Sequence, residues 1–175
     1  FPENLDYLVS VKTAFKAVGI GPDLYVRDFV GDTGVEPAAS LSCASPDIIA
    51  RAAKADAALI TQMANLNNAG LSQDMEKGQD NYVYVRLMNG GSVAGGGTFH
   101  LYLSPVSTFP DPASWNLIGS WVFPTISAGG FWTPGGPDDC LTVPAALTNA
   151  LGTIHCCFIG IIESADDPAP DRMLI

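Results

Sequence analysis

Glycine and proline interrupt this chain too often for a bundle of long helices. They supply 18 and 13 of its 175 residues, against roughly 12% in average usage, and they fall between short apolar runs rather than inside long ones. Such punctuation belongs to a β-rich fold. The clearest strand is Asn81 to Leu87, with Val83, Val85 and Leu87 on one face and Tyr82, Tyr84 and Arg86 on the other. After the Asn89-Gly-Gly turn and Gly95-Gly-Gly97, Thr98 to Leu103 alternates again, with Phe99, Leu101 and Leu103 opposite His100 and Tyr102. These two are expected as a hairpin or as adjacent strands. Leu24 to Phe29, Leu117 to Phe123 and His155 to Ile162 complete at least five strands, a pattern that favours a sandwich.

Two segments read as helix. Asn4 to Val18 carries Leu5, Leu8, Val11, Phe15 and Val18 at helical spacing and stops at Gly19, which makes residues 1–20 a helical appendage to a sandwich over 21–175. Ala52 to Leu66 sets Ala52, Ala55, Leu59, Met63 and Leu66 along one stripe, with Asp47 as its cap. Its Asn-rich end leaves a long ordered loop as the alternative. The loop from Ser127 to Asp139 is rich in glycine and proline.

Charge narrows the partners. Eight Lys and Arg stand against 18 Asp and Glu, a net charge of −10, whereas nucleic acid and anionic lipid draw most of their affinity from basic residues. Neither is expected as a primary partner. The longest apolar run, His155 to Ile162, has eight residues, far short of the roughly twenty of a spanning helix. The chain opens at Phe1 without the basic and apolar regions of a signal peptide, and so reads as a mature chain or an excised piece.

Cys43, Cys140, Cys156 and Cys157 allow three disulfide connectivities and contain no C-x-x-C pair. In a strand Cys156 and Cys157 point to opposite faces, so a bridge from either to Cys140 is easier than one between them. The count leaves the compartment open.

No residue set spells a reaction. His155 and His100 are the only histidines, and neighbours on one strand such as His155 and Cys156 rarely reach the geometry of a Cys–His pair. The serines show no triad order, and the glycines form neither a dinucleotide motif nor a P-loop. Acids cluster at Asp23, Asp28 and Asp32, at Asp138 and Asp139, and at Asp166, Asp167 and Asp171. The last group sits in an oxygen-rich loop and makes calcium the one cofactor candidate, set against a solvated proline-stapled turn. Trp115, Trp121, Phe123, Phe131 and Trp132 fall close together. Trp115, Phe131 and Trp132 are the candidates for a recognition surface, against the commoner role of such aromatics in packing.

Ser45-Pro-Asp-Ile-Ile49, Gly78 to Arg86 followed by Asn89-Gly, Leu101-Tyr-Leu-Ser-Pro105, Phe109 to Trp115 and Leu117-Ile-Gly119 together resemble an immunoglobulin-like module similar to the cell-adhesion-related domains of bacterial secreted and surface proteins. The resemblance covers about Pro22 to Asp171. It implies a non-catalytic accessory or protein-interaction module, at the cell surface or secreted, with a protein or neighbouring domain as partner. A cytoplasmic location is the alternative. The chain stops soon after its apparent last core strand, which leaves a closing strand to be supplied by another chain. Two other readings stand beside it: a hydrolase using Cys156 or Cys157 with a histidine, or a carboxylate pair; and a homo-oligomeric subunit completed by strand exchange.

Overall fold

The computed structural model describes residues 9–10, by backbone only, 21–35, 45–105, 111–151 and 155–166. The protein is mainly β, and its described strands form three hydrogen-bonded sheets. The largest sheet runs in the order β1 (Val9–Ser10), β10 (Cys156–Glu163), β6 (Gly95–Pro105), β7 (Asn116–Ile126). All its pairings are antiparallel except β1 with β10. The second sheet sets β5 (Leu87–Asn89) between β2 (Leu24–Tyr25) and β8 (Phe131–Trp132); the third sets β4 (Asn81–Val85) between β3 (Ile48–Arg51) and β9 (Leu141–Val143). Strands β4 and β5 are one stretch of chain interrupted at Arg86, so the two small sheets share a central strand with a break in it.

One apolar cluster joins the three sheets. It takes Leu24 from β2, Ile48 from β3, Val83 and Val85 from β4, Leu87 from β5, Phe99, Leu101 and Leu103 from β6, Phe123 from β7, Val143 from β9 and Phe158 from β10. Burying each such side chain stabilises the fold by roughly 1.5–3 kcal/mol. The alternation read in the sequence is therefore correct for both clear strands, but their pairing is not. The strand from Asn81 and the strand from Thr98 are neither a hairpin nor neighbours: β4 pairs with β3 and β9, and β6 with β10 and β7. Both carry an unbroken apolar face, and each buries more by contributing to one shared core than by lying beside the other.

The N-terminal helix expected over Asn4 to Val18 is not seen. Val9 and Ser10, at its centre, instead extend in parallel beside Ile159 and Gly160; the rest of that segment lies outside the described residues. Ladder hydrogen bonds to a buried strand outweigh a helical apolar stripe, because intrinsic propensity amounts to only tenths of a kcal/mol per residue. The second helix exists but is shorter than Ala52 to Leu66: α1 spans Ala57–Met63. Its cap is Asp56, whose side chain accepts from the Leu59 amide at 2.8 Å, and not Asp47. A further helix, α2 (Ala145–Leu151), follows Pro144 and takes the Asp80 carboxylate on its first amide at 2.8 Å. It is absent from the sequence reading, which had only a short alanine-rich stretch to work from.

Candidate functional site

Asp47 is fully buried and lies where the central strand breaks. Its carbonyl accepts from the Arg86 amide at 2.9 Å, so the backbone is bridged at the residue that separates β4 from β5. Its carboxylate takes Arg27 side-on, Nε at 2.8 Å and Nη2 at 2.7 Å, and Arg86 Nε at 2.7 Å. The remaining donors of Arg86, itself buried, go to backbone carbonyls: Nη1 to Asn65 and Met63, Nη2 to Pro46 and Asn68. All five guanidinium hydrogens are thus engaged. Burial pulls the Arg86 pKa below its ordinary value; burial acts the same way on Arg27, but the Asp47 hydrogen bond and charge outweigh it and carry Arg27 upward. Two cations on one carboxylate are tolerable here because carbonyl dipoles surround them. This knot ties the turn after α1 and the Ser45–Asp47 segment to the strand break, and its role is structural.

The open part of the molecule is β7. Among the described residues it is the outer strand of the main sheet, eleven residues long, and nothing pairs with its far side. Leu117 is 56% exposed and Val122 is 74% exposed. Beside it lies a cavity of about 180 Å³ lined by Ser120 and Trp121 of β7, Val83 and Val85 of β4, Leu141 of β9 and the loop residues Asp138, Asp139 and Cys140. Trp121 is set in place by Trp132, with ring centroids 4.2 Å apart. Lys54 pairs with Asp138 at the rim. Below it the Tyr84 hydroxyl accepts from the Ala55 amide at 2.9 Å and donates to the Pro137 carbonyl at 2.7 Å. Burial pushes the Tyr84 phenol up to about 12.

Ser120 also enters a polar relay across β7, β6 and β10. His100 of β6 and Ser120 of β7 are direct cross-strand partners. Ser120 Oγ is 2.7 Å from His100 Nδ1, and His100 Nε2 is 2.9 Å from a carboxylate oxygen of Glu163 on β10. The tautomer that satisfies both contacts has Nε2–H donating to Glu163 and Nδ1 accepting from the serine hydroxyl. Gly97 allows β6 and β10 to come together here: a Cβ at that position would lie 2.2 Å from the Glu163 carbonyl oxygen. Sequence reasoning missed this trio because its members stand 20 and 63 residues apart. The one legible signal was that His100 sits on the less apolar face of its strand.

The aromatics expected to form one recognition surface are divided. Trp115 is buried with Tyr102, Ile159 and Ile161, its ring 5.9 Å from that of Tyr102, so it is a packing residue. Trp132 is half-buried against Trp121 and the main core. Phe131 alone is exposed, at 50%. Cys140, Cys156 and Cys157 form no disulfide with one another. The expected bridge from Cys140 is not formed, and the packing shows why: Cys140 sits against the cluster of Ile49 and Tyr84, whereas Cys156 sits against the main core. Burial pushes the thiols of Cys140 and Cys156 up, opposite to what an activated cysteine needs. Of the calcium candidates, Asp166 is exposed; Asp167 and Asp171 lie outside the described residues, as does Cys43. Among the described residues no three His, Cys, Asp or Glu converge as a metal site, and no helix is long and apolar enough to cross a membrane.

Comparison with protein-family models, with curated proteins and with solved structures finds no match to this chain.

Proposed function

We propose that the protein is a non-catalytic interaction module, immunoglobulin-like in the sense of a β-sandwich, whose partner is an extended protein segment that adds a strand to β7. The observation that supports this reading is an eleven-residue strand whose far side, among the described residues, pairs with no strand, and which also exposes Leu117 and Val122. An edge of this kind offers a row of main-chain donors and acceptors to another chain. Selecting binders from a library of displayed twelve-residue peptides tests it. Selected peptides should protect β7 amides from hydrogen exchange and lose binding when alternate peptide bonds are N-methylated, which removes their donors without altering side chains. Binders that leave β7 unprotected, or no binders, would overturn the reading.

A second reading, hydrolysis, is favoured by the Ser120–His100–Glu163 relay. In it Ser120 Oγ attacks an ester carbonyl, its proton passes to His100 Nδ1 and then to the departing alkoxide, and water releases the acyl group. A fluorophosphonate probe would label Ser120 and spare Ser120→Ala. An unlabelled wild-type chain ends this reading and leaves the first one standing.

A further inference from the structure

The cavity beside β7 is lined unevenly, and the unevenness specifies what would fill it. Trp121, Leu141, Val83 and Val85 make an apolar wall, while Asp138 and Asp139 stand exposed at the mouth. Its volume of about 180 Å³ is on the scale of a dry cavity of roughly 150 Å³ that accommodates a benzene ring, ample for the four-carbon stem of a lysine. One rim carboxylate already receives a lysine from the protein itself: Asp138 accepts the Lys54 ammonium, which comes from outside the cavity and lies 5.7 Å from the centre of the Tyr82 ring. The Asp138 carboxylate at this rim thus accommodates an ammonium. Asp139 accepts the Gly135 amide at 2.8 Å through one oxygen, and among the described residues the pair with Lys54 is the only ion pair the rim makes. The charge of the whole chain, −10, works in the same direction by drawing cations toward it.

We infer that the segment added to β7 is cationic and places a Lys or Arg side chain in this cavity, stem against Trp121 and Leu141, head group between Asp138 and Asp139. Long basic side chains bury their methylenes on apolar walls while the charge stays at the surface, and an indole face adds to the attraction. Strand addition supplies the main-chain bonds and the cavity supplies the choice of side chain. This inference rests on the strand-addition reading and deepens it.

The peptides selected against the chain test it directly. Lys and Arg should be enriched at one position of an otherwise alternating apolar pattern, and resynthesised peptides with that residue changed to Glu should bind at least tenfold more weakly by fluorescence anisotropy. The double variant Asp138→Asn/Asp139→Asn, checked for an unchanged melting temperature, should weaken the basic peptides at least tenfold, and affinity should fall with added salt. Peptides that protect β7 but show no basic preference, or that bind the double variant as well as the wild type, would overturn the cationic partner and leave strand addition intact. Peptides that do not protect β7 would remove both.

Discussion

Around Asp47 the protein supplies a partner for every hydrogen-bonding atom of Arg86; along the far side of β7, among the described residues, it supplies no pairing strand. The two regions treat their polar groups differently. At the knot, water is excluded, so an unpartnered donor would cost the full desolvation of that group. At the edge, water satisfies the backbone. The difference separates residues committed to holding the fold from residues left available for binding, and it predicts where substitutions will be felt.

The largest effect belongs to the knot. Asp47→Asn removes the carboxylate that two buried guanidinium groups share and should destabilise the protein by about 3–5 kcal/mol, measured by urea unfolding. A loss below about 1 kcal/mol would mean that the carbonyls alone hold Arg27 and Arg86. Tyr84→Phe should cost less, about 1–3 kcal/mol, because it leaves the Ala55 amide and the Pro137 carbonyl without their hydroxyl partner. The same residue sets an alkaline limit. Its folded pKa, about 12, stands above the ordinary value of 10.0, so the neutral phenol is the form the fold favours. Stability from this group is therefore complete below about pH 10 and is lost as the pH rises from 10 to 12. Tyr84→Phe should lessen that alkaline decline, and a variant that declines as steeply as the wild type would assign it to other groups. Smallest is the edge: Val122→Lys should change stability by no more than about 0.5 kcal/mol while weakening the selected peptides. A large loss of stability instead would show that β7 is packed rather than available, and would dissolve the contrast between the two regions.

How much of this was legible in the sequence differs from element to element. The alternation of Val83, Val85 and Leu87, and of Phe99, Leu101 and Leu103, marked the inward faces correctly, because a period of two leaves no other way to bury them. Asp47 was misread. Ahead of an alanine-rich stretch an aspartate looks like a helix cap, and only the arrival of Arg27 and Arg86 from 20 and 39 residues away turns it into a buried counter-ion. The candidate site was less legible still. Ser120 and His100 meet through strand register, and the cavity brings together β4, β7, β9 and a loop. Trp115 was chosen for its residue type, which cannot distinguish a surface anchor from a ring packed on Tyr102.

The sequence by itself determined that the chain is β-rich, strongly acidic and built from short strands with defined inward faces, because composition and local periodicity act through each residue's own backbone and solvation. Tertiary structure alone decided which strands are neighbours, that Val9 and Ser10 extend rather than coil, that Asp47 serves two arginines, and that β7 is left at the edge beside an acid-rimmed cavity. Those outcomes depend on contacts between residues distant in the chain, whose free energy exists only once the core has brought them together.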